Sequence, residues 1–178
     1  MELKKSKKKQ KLSKPIRSSL LELQAHQDKI STLAVYETST LVSASFDHSI
    51  KFWDIEMKSN TRTWNSETAV LSLDTLQQSG GLYISGHSDN LLRVWDPRSK
   101  ESLVHSKFTG HKNWVTDVKW KDAMTFASVS LDGTIKLWDM RSSTHVTSLA
   151  TQDKLLCMDV NDNLLCAGGE EGKCWIYT

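Results

Sequence analysis

Residues 128–139 read SVSLDGTIKLWD, a β-rich stretch that breaks at a Leu-Asp-Gly turn and closes on a Trp-Asp pair. Three other stretches end in a similar way, namely SASFDHSIKFWD (43–54), SGHSDNLLRVWD (85–96) and AGGEEGKCWIYT (167–178). Their final aromatic residues are Trp53, Trp95, Trp138 and Tyr177, which lie 42, 43 and 39 residues apart. A recurrence at a nearly fixed interval predicts an internal repeat with one supersecondary unit per copy.

A second set of spacings agrees with the first. His26 lies 21 residues before Asp47 and 27 residues before Trp53, and both spacings recur from His111. Short runs rich in β-branched and large apolar residues lie between these positions, and turn residues separate them, which predicts strands. A period of about 40–45 residues that ends on Trp-Asp is typical of the WD repeat, whose four antiparallel strands form one blade of a β-propeller.

These observations predict an all-β fold, a WD-repeat β-propeller with four blades present and an incomplete ring. A flexible lysine-rich tail is predicted at 1–16. The four repeats are predicted at about 17–54, 55–96, 97–139 and 140–178. The last repeat ends on its third strand, and Ser19–Leu23 is a candidate for the missing fourth. We expect either that the chain is part of a longer protein or that its open edges pair with another chain.

Polar residues recur at fixed places and predict a buried hydrogen-bonded network in each blade. In WD repeats this network joins a His, a strand Ser, the turn Asp and the Trp, and an orphaned member would cost about 1–3 kcal/mol. The matching positions are His26, Ser43, Asp47, Trp53, Ser85, Asp89, Trp95, His111, Ser128, Asp132 and Trp138. The second repeat lacks the His, and the fourth has Thr151, Glu171 and Tyr177 instead of the set.

The same residue types could suggest a Ser-His-Asp hydrolase. However, the set recurs once per repeat, and no Gly-x-Ser-x-Gly turn accompanies it. The histidines show no metal-ligand spacing, and Cys157, Cys166 and Cys174 form no Cys-x-x-Cys pair. We therefore expect a protein that is not an enzyme, with no metal, no cofactor and no small-molecule substrate. No apolar run is long enough to span a membrane, so no membrane partner is expected.

The detailed sequence of the repeats resembles one family in particular. SASFDHSIKFWDIE, SGHSDNLLRVWDPRSKE, TGHKNWVTDVKW and SLDGTIKLWDMRSS are similar to the last blades of the WD-repeat ribosome-biogenesis factors of the PeBoW complex. The degenerate end TQDKLLCMDVNDNLLCAGGEEGKCWIY is similar to the last repeat of that family, and MELKKSKKKQK resembles its lysine-rich insertion. The resemblance covers about residues 4–177 and indicates the C-terminal part of the propeller.

The resemblance implies a non-catalytic protein-interaction scaffold in large ribosomal subunit biogenesis and ribosomal RNA maturation. It implies Pescadillo and the block-of-proliferation scaffold protein, the other members of the complex, as partners, together with the precursor of the large ribosomal subunit. It also implies localisation to the nucleus, in the nucleolus and the nucleoplasm.

Loops on a rigid propeller carry binding, so we expect protein contacts beside the turn Asp and near the start of each inner strand. These candidates are Lys29, Phe46, His48, Ser88, Asn90, Trp114, Leu131 and Gly133. Trp114 has two interpretations of similar weight. Its ring is either an exposed interface anchor or a filler between neighbouring blades.

Charge divides the chain into two parts. Seven lysines and one glutamate give residues 1–14 a net charge of +6, which leaves −4 on the remainder of a chain whose total is +2. The lysines are Lys4, Lys5, Lys7, Lys8, Lys9, Lys11 and Lys14. This run is interpreted as a nuclear import signal, a weak non-specific contact to ribosomal RNA, or a solvated segment.

An alternative function is that of a substrate receptor of a cullin-RING ubiquitin ligase. Such receptors often carry Trp-Asp-x-Arg, and the chain has this motif twice, ending at Arg98 and Arg141. These arginines would then contact the ligase adaptor. The structural interpretation is that each arginine makes a surface ion pair.

Overall fold

The computed structural model of the chain describes residues 22–36, 39–76, 81–99, 104–142, 144–161 and 163–178. Within these ranges the secondary structure consists of β-strands and turns, without a helix. None of the described segments could therefore cross a membrane as an apolar helix. The predicted lysine-rich tail at 1–16 lies outside the described residues. So does most of the candidate strand Ser19–Leu23, and the described part of it, residues 22–23, is not in a strand.

In the described part of the chain, fifteen strands form four antiparallel sheets, each built from strands that follow one another along the chain. Blade 1 contains β1 (Ile30–Tyr36), β2 (Thr40–Ser45), β3 (Ser49–Asp54) and β4 (Ser59–Asn65). Blade 2 contains β5 (Val70–Leu76), β6 (Leu82–His87), β7 (Leu92–Trp95) and β8 (Val104–Phe108). Blade 3 contains β9 (Val115–Trp120), β10 (Thr125–Ser130), β11 (Thr134–Asp139) and β12 (His145–Ala150). Blade 4 contains β13 (Leu155–Val160), β14 (Leu165–Gly169) and β15 (Cys174–Tyr177).

Each blade makes the same tight turn between its second and third strands. The last residue of this turn has a positive φ in every blade: His48 (68°), Asn90 (69°), Gly133 (75°) and Gly172 (76°). In blades 2 to 4 its amide donates to the carbonyl three residues earlier, at 3.1 to 3.3 Å. A type I turn followed by a left-handed residue joins two antiparallel strands through a short bulge. The turn favours Gly, which has no Cβ to clash in this backbone conformation, and Asn, whose short polar side chain tolerates it.

The core consists of three layers, each lying between two successive blades. The first strands of successive blades lie side by side, β1 with β5, β5 with β9, and β9 with β13. The second strands of blades 2 and 3 and the third strand of blade 2 are buried along most of their length, since other blades cover both of their faces. The hydrophobic stabilisation therefore comes chiefly from contacts between blades rather than from within one sheet.

The three layers differ in composition. Between blades 1 and 2, Trp64 stacks on Trp95 with ring centroids 5.5 Å apart, and Phe52 and Tyr83 pack edge-on beside them. Between blades 2 and 3, the rings of Phe108, Phe126 and Trp138 form a similar group. Between blades 3 and 4, aliphatic side chains such as Leu137, Leu149 and Leu165 dominate.

The described propeller is open, because the outer faces of blades 1 and 4 remain exposed. Blade 4 contains three described strands, and the other blades contain four. The predicted all-β fold, its four blades and its incomplete ring are confirmed by this arrangement.

Candidate protein-binding surface and hydrogen-bonded networks

Blade 1 contains a chain of hydrogen bonds that links four of its segments. The Trp53 indole N–H donates to Ser43 Oγ at 2.8 Å, and Ser43 Oγ lies 2.7 Å from His26 Nε2. His26 Nδ1 lies 2.9 Å from Asp47 Oδ2. An ionised Asp47 accepts a hydrogen bond from the Nδ1–H of His26, which leaves Nε2 to accept a hydrogen bond from the Ser43 hydroxyl. The loop before β1 is thereby fastened to β2, to the following turn and to β3.

Blade 3 repeats this geometry almost without change. The indole of Trp138 donates to Ser128 at 2.8 Å, Ser128 Oγ is 2.7 Å from His111 Nε2, and His111 Nδ1 is 3.0 Å from Asp132. Burial of the Asp132 carboxylate would raise its pKa, but hydrogen bonds from His111, Thr134 and a backbone amide outweigh burial and hold the pKa far below its ordinary value. Burial lowers the pKa of His111, and the neighbouring Asp132 only partly opposes this shift.

The Ser-His-Asp order of these networks resembles a hydrolase triad, but the hydroxyls are inaccessible. Ser43 is 1% exposed and Ser128 is 0% exposed. Each hydroxyl already accepts an indole N–H from the third strand of its blade. A substrate carbonyl could approach neither oxygen without displacing a core tryptophan, so these networks serve the fold.

Blade 2 keeps the network but exchanges two of its positions. The strand pairing aligns Ser66 with His26 and His111, and it aligns His87 with Ser45 and Ser130. The histidine thus comes from β6, where its Nε2 lies 2.7 Å from Ser85 Oγ and its Nδ1 lies 3.3 Å from Ser66 Oγ.

The exchange preserves the central hydroxyl of blade 2. Trp95 still donates its indole N–H to Ser85, at 2.7 Å. Burial is the main cause that lowers the pKa of His87 to about 3, so the imidazole is neutral at physiological pH. The sequence shows that the second repeat lacks the histidine of the first and third, but only the strand pairing shows that His87 takes over its hydrogen bond to the strand serine.

Asp89 of blade 2 has a different partner from its counterparts. Arg93 donates to both carboxylate oxygens of Asp89, at 3.0 and 2.6 Å, and also to Glu67 at 3.2 Å. The Arg93 side chain is only 1% exposed, so this ion pair is shielded from solvent. Sequence reasoning placed Asp89 in the His-Ser-Trp network, whereas the structure pairs it with Arg93. The cause is the loop residue Ser66, whose side chain is shorter than a histidine.

Blade 4 replaces the network with an acidic contact. The Asp153 carboxylate is buried and accepts the amide of Glu171 at 3.0 Å. It occupies the space beside Gly169, where a Cβ would lie 2.2 Å from Asp153 Oδ2. The Glu171 side chain is exposed and pairs with Lys173. Blade 4 therefore lacks the buried His–Asp pair of blades 1 and 3.

The candidate binding residues lie together at one end of the blades. Each belongs to the turn between the second and third strands or to the loop that enters the first strand. The two segments meet through backbone hydrogen bonds, such as the one from the Phe46 amide to the Lys29 carbonyl at 3.0 Å and the one from Leu131 to Trp114 at 3.1 Å. We call this end the turn face. It brings together Lys29, Phe46, His48, Ser88, Asn90, Trp114, Leu131 and Gly133.

Exposure separates these residues into groups. Lys29 and His48 are exposed, and Trp114 is 43% exposed, which favours the interpretation of its ring as a surface group. Phe46, Ser88, Asn90 and Leu131 are half-buried. Gly133 is buried, because the backbone carbonyls of Thr151 and Asp153 in the next blade cover it.

Sequence reasoning missed the turn-face residues of the degenerate positions. Ala69 of blade 2 and Lys154 of blade 4 receive the same backbone hydrogen bond as Lys29 and Trp114. Lys154 also forms an exposed ion pair with Glu170 at 3.0 Å. The sequence indicates these two positions only weakly. The residue three positions earlier is a histidine in blades 1 and 3, but it is Ser66 in blade 2 and Thr151 in blade 4.

Arg98 and Arg141 lie at the opposite end of the blades. Each follows the third strand, whose other end is at the turn face. Arg98 pairs with Asp96 at 2.7 Å, and Arg141 pairs with Asp139 at 2.5 Å. Hydrogen bonds from Arg141 are the main cause that lowers the pKa of Asp139 to about 2. Each arginine side chain is about 70% exposed, so these are surface ion pairs. In each Trp-Asp-x-Arg motif, the Asp and the Arg of the same motif form the pair.

The remaining candidate groups can be placed more briefly. The lysines of residues 1–14 lie outside the described ranges. Within those ranges, no group of three or more His, Cys, Asp or Glu side chains is arranged to hold a metal ion. The three cysteines are free thiols on the strands of blade 4.

Comparison with known sequences agrees with the geometry. Residues 17–54, 58–96 and 102–139 match the family model of the WD domain, G-beta repeat. A protein from Oryza sativa subsp. japonica is 36% identical over 84% of this chain, and one from Caenorhabditis briggsae is 32% identical over 85%. Both bear the name ribosome biogenesis protein WDR12 homolog. The chain spans only 36% of the length of each of these relatives. The resemblance to WD-repeat ribosome-biogenesis factors that the sequence predicted is confirmed.

Solved structures agree on the fold. The computationally designed Ika4 protein superimposes with a TM-score of 0.75 at 24% identity, over 90% of this chain and 97% of that one. The WD40 repeats of RRP9 superimpose with a TM-score of 0.74 at 22% identity, over 86% of this chain and 52% of that one. With three matched repeats and the network geometry in blades 1 and 3, the chain belongs to the WD-repeat family and is similar within it to the WDR12 homologs.

Proposed function

We propose that this chain is a non-catalytic interaction scaffold that takes part in ribosome biogenesis, in the maturation of the large subunit and its ribosomal RNA. The observation that carries the proposal is the similarity to ribosome biogenesis proteins along most of the chain, at 36% identity for the rice relative. The burial of the Ser43 and Ser128 hydroxyls supports this proposal, because it keeps substrates away from the groups that resemble a Ser-His-Asp triad.

The proposed partners are Pescadillo, the block-of-proliferation scaffold protein and the precursor of the large ribosomal subunit, in the nucleolus and the nucleoplasm. The proposed docking site is the turn face. It combines an exposed aromatic ring at Trp114 with a cation at Lys29 and adaptable polar groups at Ser88 and Asn90. Aromatic anchors surrounded by polar side chains are typical of protein interfaces.

A pull-down from nucleolar extract tests this function with the tagged full chain as bait. Recovery of Pescadillo and of large-subunit precursors is expected, and the substitution Trp114→Glu should reduce it at least tenfold. Phe46→Glu should act in the same direction. The matched control is Met57→Glu, because Met57 is 74% exposed but lies at the opposite end of blade 1, in the turn after β3.

The outcomes test the docking site and the proposed function separately. Equal recovery by Trp114→Glu and the parent chain would remove the turn face as the docking site. Recovery of a cullin adaptor instead of ribosomal precursors would contradict the proposed function. In that case Arg98→Glu and Arg141→Glu together should abolish the capture.

A further inference from the structure

Blade 2 holds a carboxylate between two cations near the turn face. Glu67 lies in the loop before β5 and accepts hydrogen bonds from Arg93 at 3.2 Å and from Lys107 at 3.3 Å. Arg93 belongs to β7, and Lys107 is its pairing partner on β8. Hydrogen bonds from Lys107 are the main cause that lowers the pKa of Glu67. Blade 2 therefore supplies its own anion to this pair of cations.

Blade 3 has a cation where blade 2 has this carboxylate. Lys112 comes directly after His111, just as Glu67 comes directly after the aligned loop residue of blade 2. Strand pairing likewise aligns Lys136 of β11 with the arginine of β7, and Ser148 of β12 with the lysine of β8. Opposite charges in blade 2 are thus replaced by like charges in blade 3.

The Lys136 ammonium has a hydroxyl partner, and within the described residues no carboxylate forms an ion pair with it. Lys136 is only 6% exposed, and its ammonium donates to Ser148 Oγ at 2.8 Å. Burial lowers the pKa of Lys136, and the charge of Lys112 lowers it further, whereas Asp132 opposes the shift. The oxygens of Asp132 are already occupied by hydrogen bonds from His111 and from neighbouring residues.

These three residues of blade 3 lie on the side that faces blade 2. Trp138, two residues after Lys136 on β11, belongs to the layer between these two blades. Lys112 and Ser148 are exposed, so the group is open to solvent. The half-exposed ring of Trp114 follows two residues after Lys112 on the same loop. A ligand at the turn face can therefore reach a cationic site and an aromatic ring on one blade.

We propose that Lys112, Lys136 and Ser148 form a binding site for a carboxylate, supplied by a glutamate or aspartate side chain in a segment of a partner protein. The carboxylate takes the place that Glu67 occupies in blade 2. The two ammonium groups donate charge-assisted hydrogen bonds to it. Ser148 accepts from Lys136, which leaves its own O–H to donate. The inference holds whichever protein supplies the carboxylate, so it does not depend on the proposed role in ribosome biogenesis.

Two observations favour a protein carboxylate over an RNA phosphate at this site. Blade 2 fills the equivalent place with a glutamate side chain, so the spacing of the cations suits a carboxylate. The chain outside residues 1–14 carries a net charge of −4, which repels a long polyanion. A single acidic side chain is governed by the two nearby lysines instead, because salt screens the more distant charges.

NMR titration of the full chain tests the proposal, with the blocked tetrapeptide Gly-Glu-Leu-Gly as the probe. The peptide should shift the amide signals of Lys112 and Ser148 in a saturable way, whereas Gly-Gln-Leu-Gly should not. Lys136→Met keeps the aliphatic stem and should weaken binding at least fivefold. Lys112→Glu should do the same, because it fills the site with a carboxylate of the chain. Lys121→Glu is the control, since it changes the charge equally at the opposite end of blade 3.

A second measurement needs no peptide. Lys112→Glu gives blade 3 the residue of blade 2, so its carboxylate should pair with Lys136 and raise the midpoint of urea denaturation. The rise should disappear when Lys136→Met is added, and Lys121→Glu should not produce it. A fall of the midpoint in Lys112→Glu overturns the proposal. So does a probe that fails to bind, or that binds equally to the parent chain and to both variants. Stronger shifts of the same amides by oligouridylate would assign the site to RNA instead.

Discussion

The Asp132 carboxylate accepts four hydrogen bonds, from His111, from the Lys112 amide and from both the amide and the hydroxyl of Thr134. Asp132→Ala leaves these donors without this partner, and the His111 imidazole among them is buried. We expect the free energy of unfolding to fall by about 3 kcal/mol, measured by urea denaturation. Glu171→Ala is the control at the aligned turn position of blade 4, where the side chain is exposed, and it should change stability by less than about 0.5 kcal/mol. Equal stability of the two variants would contradict the structural role of Asp132.

The exchange of Ser66 and His87 gives a second prediction for single residues. His87→Ser leaves Ser85 without its imidazole partner and opens a cavity, and we expect a loss of about 2–4 kcal/mol. The double variant Ser66→His with His87→Ser restores the arrangement of blades 1 and 3, and it should regain at least half of that loss. A double-mutant cycle measures the coupling, and strictly additive effects would show that the two sites do not compensate.

At the level of strands, the interface between blades 3 and 4 is packed less well than the interfaces between blades 1 and 2 and between blades 2 and 3. A half-open cavity of about 610 Å³ lies between them, with Leu137, Leu149, Val160, Leu165 and Tyr177 in its wall. The aligned positions in the other interfaces hold rings, such as Tyr83 and Phe126 at the place of Leu165. Smaller side chains and the absence of a described fourth strand in blade 4 together account for the space.

Filling this cavity should stabilise the chain. Leu165→Phe introduces the ring that blade 3 has at the aligned position, and we expect a gain of about 1 kcal/mol in the free energy of unfolding. Leu155→Phe is the control. Leu155 is fully buried in the same layer but away from the cavity, so the larger ring should cost about 1–3 kcal/mol. Destabilisation by both substitutions would mean that the space is not available to a side chain.

For the whole molecule, the separation of charge predicts how the chain meets RNA. The +6 of residues 1–14 is joined to a remainder of −4, so attraction to phosphate should reside in the tail. Binding of single-stranded RNA should weaken at least tenfold between about 50 and 200 mM salt, because neutralising about seven phosphates releases counterions. Residues 15–178 alone should not bind. Retention of RNA by that truncated chain would place a basic site on the blades.

The repeat period and the His-Ser-Asp-Trp spacings were enough to predict the blades, because each unit uses one pattern of turns and buried side chains. The network of blade 3 follows directly from matched positions such as His111 and Ser128. The network of blade 2 does not, because Ser66 and His87 depart from the residue types at the matched positions, and their contact becomes visible only when β5 is paired with β6. The burial of Gly133 by the next blade could not be predicted from the local sequence either, because it depends on the backbone of Thr151 and Asp153.

The uneven packing of the three interfaces between blades also affects how fast each blade opens. In an array of repeats, opening begins where the contact with the neighbour is weakest, and it proceeds unit by unit. Blade 4 is held chiefly by aliphatic side chains, whereas stacked tryptophan rings join blades 1 and 2, and Phe108 packs edge-on against Phe126 between blades 2 and 3. Within a single chain, the amides of β13, β14 and β15 should therefore exchange with deuterium before those of β6 and β10. Each blade would then have its own rate of amide exchange, and the degenerate fourth repeat would exchange fastest.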